Sequence, residues 1–284
     1  MSAIAVLNPS AGSVPANAKS RLRRALVALG HTVADIVDLD LNRAEHQLQA
    51  LAAQPHDLFV VWGGDGTHRT VLNVLGQSAE NLLLLPGGTK NLLSRSLHGP
   101  KKWDAIVKAA TLAPTSRSLP AGRIQDKYFF CALLVGSPAL FAEVREDLRA
   151  GDLAEAINDL SAGMATATEL HLSGFISSGP RADKIALPQS NVVGALVGPL
   201  SISGGMEVAA VPYSQEAARL SMLWATMQSS WRDVPGVELR NATSLVVTAD
   251  GKNLPAIADG EPINAGERLE VTFVENAATC IATA

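Results

Sequence analysis

Residues 60–76 read VVWGGDGTHRTVLNVLG and place three glycines within four positions. The run before the glycines is rich in β-branched and aromatic residues, which is typical of a buried strand. We expect a helix to begin near Thr67, so the glycines form a strand-to-helix turn. Glycine lets the backbone approach a ligand closely, and the N–H groups of such a turn bind anions. Asp65 would repel a phosphate there, unless it binds a metal ion or handles a proton.

The composition limits the classes of function. The 284 residues carry a net charge of −4, without the basic excess that nucleic-acid binding requires, so no nucleic-acid partner is expected. Cys131 and Cys280 are predicted to be buried free thiols in a reducing compartment. The N-terminus reads as a strand rather than a signal peptide, and no window is apolar over about 18 residues. These features predict a cytoplasmic protein.

Residues 1–118 are predicted to form an α/β domain. Strand and helix patterns alternate four times in this stretch, which predicts a parallel sheet with helices on both faces. Three loops rich in turn-forming residues each follow a predicted strand, at 8–12, 63–67 and 86–91. Since ligands bind at the carboxyl ends of parallel strands, we expect these loops to face one cleft.

Residues 119–277 are predicted to form a second, mainly antiparallel β-sandwich domain, because short β-rich segments alternate with Gly, Pro, Asn and Asp. Two helical insertions are expected within it, at 139–167 and 215–230. The boundary between the domains is expected near residues 114–120, and the tail 278–284 is a candidate strand of the first domain.

Four elements carry a resemblance to a known family. They are 8–12 (NPSAG), 63–67 (GGDGT), 86–91 (PGGTKN) and 258–262 (ADGEP). Taken alone, the last of these is a type I′ hairpin turn. In this order they resemble the diacylglycerol kinase catalytic-domain family, which includes sphingosine kinases and bacterial lipid kinases. The resemblance implies a nucleotide-binding domain of the NAD kinase/phosphofructokinase-like type, a β-sandwich lipid-substrate domain, and an active cleft between them.

The resemblance also implies roles for single residues. The family transfers the γ-phosphoryl group of ATP to a lipid hydroxyl, so ATP and Mg²⁺ are the expected cofactors. The implied nucleotide-binding residues are Asn8, Gly12, Gly63, Gly64, Asp65, Gly66, Thr67, Gly88, Thr89 and Asn91. Asp65 would bind magnesium or orient the hydroxyl. Asp259 aligns with the proposed general base and Glu261 with its acidic neighbour, so the implied catalytic residues are Asp259, Glu261 and Asp65.

Departures from the family pattern leave alternatives open. Thr70 and Leu92 stand where the family has acidic residues, and 211–216 (VPYSQE) replaces an acidic stretch linked to a structural magnesium in bacterial members. These positions favour a protein that binds nucleotide or lipid without turnover. A kinase of a soluble substrate such as NAD is a further alternative, although the second domain contains no Ser-Pro-Thr-Gly-Ser element.

Three further expectations concern partners and capping. A lipid substrate implies transient contact with a membrane surface, because no polybasic run would anchor the chain. The oligomeric state is left open, with a homodimer among the alternatives. Thr67 and Thr89 have a plain structural interpretation as helix N-caps beside their implied nucleotide role.

Overall fold

Two units make up the protein in a computed structural model that describes residues 1–76, 78, 81–136, 171–179, 181–212 and 237–283. The first unit comprises Met1–Pro120 and Glu275–Ala284, and the second comprises Ala121–Val274. The two helical insertions expected at 139–167 and 215–230 lie outside the described residues.

The first unit is built on a parallel sheet. Its strands are β1 (Ser2–Leu7), β2 (Thr32–Asp38), β3 (Leu58–Gly63) and β4 (Leu82–Pro86). They lie in the order β2-β1-β3-β4. All six residues of β3 are buried, and such continuous apolar runs are typical of strands covered on both faces.

Helices cover this sheet on both sides. They are α1 (Ala18–Ala28), α2 (Ala44–Ala52), α3 (Asp65–Leu75), α4 (Leu92–His98) and α5 (Trp103–Leu112), with a 3₁₀ helix at Leu41–Arg43. Apolar residues of α1 and α5 form one core with alternate residues of β1 and β3, such as Ala5 and Val60. The intervening residues, such as Val6 and Val61, are equally buried. They point to the opposite face, where α3 contacts α2 and α4.

The C-terminal residues also join the first unit. Cys280, on the chain's last strand, pairs in parallel with Leu82. The N–H group of Thr283 donates to the carbonyl of Leu97 over 3.0 Å, and the hydroxyl of Thr115 donates to the carbonyl of Ala282 over 2.9 Å. Residues nearly 200 positions after β4 therefore extend its sheet and contact α4.

The second unit is antiparallel. Its strands are β5 (Thr115–Ile124), β6 (Lys127–Phe129), β7 (Ala132–Gly136), β8 (Leu172–Ser177), β9 (Ile185–Ala186), β10 (Ser190–Leu196), β11 (Met206–Pro212), β12 (Glu238–Ala242), β13 (Ser244–Ala249), β14 (Pro255–Ala258), β15 (Glu261–Asn264) and β16 (Arg268–Ala282). The first and the last of these, β5 and β16, also run through the first unit. Seven strands follow the order β15-β14-β7-β10-β8-β13-β16, and β11 and β12 extend from β10. The core is filled mainly by Leu, Val and Ala.

These features confirm the predicted fold class, an α/β N-terminal part followed by an antiparallel β-rich part. The region near 114–120, where the sequence indicates a boundary, is not a loop, because β5 runs through it. Cys131 and Cys280 are free and buried, as expected. No helix of the described residues is long and apolar enough to cross a membrane.

Candidate functional site

The carboxyl ends of the parallel strands bring three loops to one edge of the first unit. Leu7 of β1 pairs with Trp62 of β3, and Gly63 of β3 pairs with Pro86 of β4. The three strands therefore end level with one another. The loops that follow them, 8–12, 64 and 87–91, emerge side by side.

Glycines allow these loops to pack against one another. A Cβ added at Gly63 would lie 2.5 Å from the Cβ of Thr67, and one added at Gly88 would lie 2.8 Å from the Cα of Gly64. The N–H group of Gly87 donates to the carbonyl of Gly63 over 2.8 Å. Side chains at these positions would force the loops apart, so the glycines fix the spacing of the site.

Asn8 connects the first loop to the start of α3. Its side-chain amide donates to the hydroxyl of Thr67 over 2.9 Å, and its side-chain oxygen accepts from the N–H group of Ser10 over 3.0 Å. Thr67 is buried and follows the N-cap, Gly64, by three positions. The interpretation of Thr67 as an N-cap is therefore wrong.

Asn91 shapes the third loop. It adopts a left-handed conformation with φ 53°, which Asn tolerates better than most residues. Its side-chain oxygen accepts from the N–H groups of Gly87 and Gly88 over 3.1 and 2.7 Å. Its side-chain amide donates to the carbonyl of Gly88 over 2.7 Å. Asn91 is also the N-cap position of α4, so Thr89, which is exposed, is not the cap.

The N-terminus of α3 is the part of the edge best suited to an anion. The helix begins at Asp65, two residues earlier than expected, because Gly64 is extended and acts as the N-cap. No side chain caps this end within the described residues. The N–H groups of its first turn have no intrahelical acceptor, and the helix dipole adds positive potential there.

Asp65 occupies the first position of α3 and is half-buried. One carboxylate oxygen accepts from the N–H group of Leu93 over 3.1 Å, which ties α3 to the start of α4. Thr70, which replaces an acidic residue of the family pattern, donates its hydroxyl to the carbonyl of Gly66 over 3.1 Å. Asp65 therefore supplies the carboxylate of this loop.

Two histidines lie beneath the site without reaching solvent. His68 and His98 are fully buried, and His68 contacts the carbonyl of Leu85 through Nε2 over 3.1 Å. Burial disfavours the charged imidazolium and lowers the pKa of each to about 4. Both rings are therefore neutral near pH 7, and they belong to the packing of α3 and α4 against β4.

Asp259 and Glu261 lie in the second unit. Asp259 and Gly260 form the two-residue turn between β14 and β15 and have φ angles of 51° and 88°, so the predicted type I′ hairpin is confirmed. The carboxylate of Asp259 accepts from the N–H groups of Phe130, Cys131 and Ala132 over 2.6, 2.8 and 2.9 Å. Glu261 is exposed.

The structure thus gathers most of the implied nucleotide residues, all in the first unit. Asn8, Gly63, Gly64, Thr67, Gly88 and Asn91 are linked by the contacts given above. Gly12 differs, because a Cβ there would meet nothing within 4 Å. Thr89 and Gly66 are exposed at the same edge.

Sequence reasoning missed Ser13, which supports these loops, and Lys101, which contacts the C-terminal residues. Ser13 donates its N–H group to the carbonyl of Gly87 over 2.9 Å and its hydroxyl to the carbonyl of Gly88 over 3.1 Å. Lys101 donates its ammonium to the carbonyl of Thr283. Ser13 directly follows the NPSAG element, which was the available signal, whereas the contact with Thr283 spans most of the chain and has no local signal.

Comparison with known proteins supports the predicted family resemblance. The family model described as diacylglycerol kinase catalytic domain matches residues 2–123. This match confirms, for these residues, the predicted resemblance to the diacylglycerol kinase catalytic-domain family.

Relatives and solved structures agree with this assignment. A Mycobacterium tuberculosis protein named diacylglycerol kinase is 31% identical over 105 residues, which cover 36% of this chain and 34% of that protein. A Streptococcus pneumoniae protein whose name proposes a lipid kinase is 26% identical over 169 residues, or 57% of each chain. These matches span less than two thirds of the relatives' lengths.

Solved structures match nearly the full length of the chain. The crystal structure of a diacylglycerol kinase from Bacillus anthracis has a TM-score of 0.64 at 15% identity, and covers 99% of this chain and 96% of that one. A second structure from the same organism has a TM-score of 0.68 at 16% identity. At this level of sequence identity, the structural similarity is evidence for the fold alone.

Proposed function

We propose that the protein is an ATP-dependent lipid kinase that transfers the γ-phosphoryl group to a lipid hydroxyl. The observation that carries the proposal is the uncapped N-terminus of α3, enclosed by packed glycine loops and bearing Asp65 at its first position. The match of residues 2–123 to the diacylglycerol kinase catalytic domain supports this class of reaction.

The loops fit a nucleotide phosphate. The N–H groups of the first turn of α3 would donate to phosphate oxygens. The missing Cβ atoms at Gly63, Gly64 and Gly88 let the loops pack closely around this end of the helix. The N–H groups of Gly87 and Gly88 donate to the side chain of Asn91. Their part is therefore to hold the loop in shape, while α3 supplies the donors for the phosphate.

The carboxylate of Asp65 fits a magnesium ion that arrives with the nucleotide. Within the described residues, no group of three or more His, Cys, Asp or Glu side chains is placed to hold a metal. Mg²⁺ commonly takes one or two carboxylates and completes its shell with phosphate oxygens and water. The ion would neutralise charge on the transferred phosphoryl group, and Asp65 would position it.

Asp259 is proposed as the acceptor of the hydroxyl proton, with Glu261 as its acidic neighbour. General-base catalysis requires an oxygen within hydrogen-bond reach of the substrate hydroxyl. Three backbone N–H groups fix the orientation of the Asp259 carboxylate within the second unit. Asp259 therefore has a structural role whatever its catalytic role, and any test of the base must separate the two.

The acceptor is proposed to be a diacylglycerol-like or sphingoid lipid, met during transient contact of a cytoplasmic protein with a membrane surface. The names of the relatives support this class of acceptor. A soluble acceptor such as NAD is the competing class.

The test is transfer of labelled phosphate from ATP, with Mg²⁺, to diacylglycerol, sphingosine and NAD in parallel. We expect a labelled lipid and a loss of about 100-fold or more in Asp65→Asn, because positioning of the metal would be impaired. Asp104→Asn is the matched control, since Asp104 also lies in the first turn of a helix, α5. Labelling of NAD alone, or equal activity of both variants, would contradict the proposal.

The alternative is a protein that binds nucleotide without turnover. It is favoured by Thr70, whose hydroxyl is bonded to the carbonyl of Gly66 and offers no carboxylate to the site. ATP binding in calorimetry together with no transfer to any acceptor would support this alternative. Measurable transfer by the unmodified protein would exclude it.

A further inference from the structure

A polar pocket lies in the first unit, beside the glycine loops. Its volume is about 250 Å³, somewhat below the roughly 300–1,000 Å³ of pockets that take drug-sized ligands. Three cationic side chains line it, and no acidic one does; the cationic residues are Arg95, Lys101 and Lys102. This combination of size and charge suits a small anion-bearing group rather than an acyl chain.

The three cationic side chains come from α4 and from the segment before α5, and no acidic side chain that lines the pocket neutralises them. Arg95 lies on α4, whereas Lys101 and Lys102 precede α5, and all three are exposed. Lys101 donates to the carbonyl of Thr283. Within the described residues, no ion pair or side-chain hydrogen bond is made by Arg95 or Lys102. Like charges gathered in this way raise the local positive potential, which an anion would relieve.

The start of α5 adds to this potential. Lys102 is the N-cap position of α5, and no side chain caps that end. Helix N-termini favour negative charge. Asp104, in the same turn, accepts from the N–H group of Ala105 over 3.0 Å and does not line the pocket.

The other side chains that line the pocket are held by contacts within the first unit. Trp103 lines the pocket and stacks on Trp62 with ring centroids 4.6 Å apart, while the guanidinium of Arg21 lies 5.3 Å from its ring. Ser13, Asn91 and Ser94 also line the pocket, and their side chains are held by hydrogen bonds to the carbonyls of Gly88 and Leu84. Walls that are already ordered reduce the entropy lost on binding an anion.

We propose that this pocket binds a phosphate group, distinct from any phosphate held at the N-terminus of α3. The group is either part of a small phosphorylated molecule or the headgroup of an anionic phospholipid. Arg95 and Lys102 would contact the phosphate group directly. Lys101, which is hydrogen-bonded to the carbonyl of Thr283, adds to the positive electrostatic potential of the pocket. The proposal does not depend on kinase activity.

The pocket shares Asn91 with the third glycine loop. The side chain of Asn91 accepts from the N–H groups of Gly87 and Gly88 and also lines the pocket. A phosphate group bound there therefore contacts a residue that shapes the loop beside α3, which gives a route by which the two sites influence each other.

The test is binding of inorganic phosphate and of glycerol 3-phosphate to the full chain by calorimetry in a chloride buffer. We expect saturable binding that falls about tenfold or more in the double variant Arg95→Gln/Lys102→Gln. The control, Lys108→Gln/Lys127→Gln, removes the same charge from exposed positions outside the pocket. The affinity of the control variant for phosphate should stay within about twofold of that of the unmodified protein. The thermal unfolding temperature of both variants should be unchanged.

A second arm identifies the source of the phosphate. Cosedimentation with phosphatidylglycerol vesicles, compared with phosphatidylcholine vesicles, should decrease in the same double variant if the ligand is a lipid headgroup. Binding of glycerol 3-phosphate without vesicle binding identifies a free phosphorylated molecule.

Two results would overturn the proposal. One is that neither phosphate compound nor anionic vesicles bind the unmodified protein. The other is that phosphate binding is equal in both double variants and is abolished by saturating ATP, which would place the anion at α3.

Discussion

Asp65 and Asp259 each adjoin a glycine on their C-terminal side, yet their surroundings differ. Asp65 begins a helix and accepts one backbone N–H group, at 3.1 Å. Asp259 occupies a left-handed position in a hairpin turn and accepts three, at 2.6 to 2.9 Å. No side chain caps the N–H groups at the start of α3, whereas the N–H groups of Phe130, Cys131 and Ala132 donate to the carboxylate of Asp259.

This difference in hydrogen bonding predicts different roles for the two aspartates. A carboxylate that is bonded to several buried amides stabilises the fold around it, because removing it leaves those donors unsatisfied. A carboxylate with a single bond at an exposed edge contributes little to stability and remains available for a ligand. The predicted consequences differ most in the free energy of unfolding.

The largest effect is expected at Asp259. Replacement by Ala removes the acceptor of three N–H groups and should cost about 3–5 kcal/mol of unfolding free energy. Asp259→Asn keeps an acceptor and the left-handed preference, so it should cost about 1–3 kcal/mol. Urea unfolding measures both. Asp126→Ala, at an exposed turn position of the same unit, is the control, and an equal loss there would show that the three bonds do not stabilise the second unit.

The next largest effect is expected for Gly63→Ala, which should lower the free energy of unfolding by about 1–3 kcal/mol. The new methyl group would lie 2.5 Å from the Cβ of Thr67, which is buried and bonded to Asn8. Gly12→Ala is the matched control, because a Cβ there meets nothing within 4 Å, and it should change stability by less than about 0.5 kcal/mol. Comparable losses in thermal unfolding would mean that the glycine loops are not closely packed.

Acid should weaken the first unit before the second. The pKa of His68 and of His98 is about 4 in the folded state, below the ordinary value near 6.5, so the unfolded chain binds more protons between these values. The two neutral histidines make their full contribution to the free energy of unfolding above pH 6.5. This contribution is lost as the pH falls towards 4, at up to about 1.4 kcal/mol per pH unit for each histidine.

Hydrogen exchange between pH 6.5 and 5 locates this loss. Protection of β3 and β4 should fall faster than that of β10 and β13, since the second unit has one histidine, His171, which is exposed. His68→Gln/His98→Gln should flatten the pH dependence, whereas His46→Gln, at an exposed position, should not. Equal acid sensitivity of both units would contradict the expectation.

The smallest change in stability is expected at Asp65. Asp65→Asn keeps a side-chain oxygen that can accept from Leu93, so the loss should be below about 1 kcal/mol. Urea unfolding under the same conditions as for Asp259 makes the two aspartates directly comparable. A loss as large as that of Asp259→Ala would show that Asp65 serves mainly to hold α4.

Much of the first unit could be predicted because its signals are local. The apolar runs before Gly63 and before Gly87, and the glycines after them, specify strands and turns within a few residues. The start of α3 was predicted two residues late, since glycine and aspartate are poor helix formers and only Gly64 as an extended N-cap allows the earlier start. The strands β9, β11, β12, β14 and β15 were not among the predicted strand segments, because strand formation depends on pairing partners as well as on a segment's own pattern.

The sequence by itself determined the alternation of strands and helices, the hairpin turn at Asp259 and Gly260, and the motifs that carry the family resemblance. Each of these depends on residues close together in the chain, where backbone preference and hydrophobic periodicity act directly. Only the tertiary structure decided that Asp259 is bonded to residues 130–132, that Thr283 contacts α4, and that Arg95, Lys101 and Lys102 line one pocket. The reason is that strand pairing and helix packing place residues that are distant in sequence side by side, and no short-range pattern encodes which ones will meet.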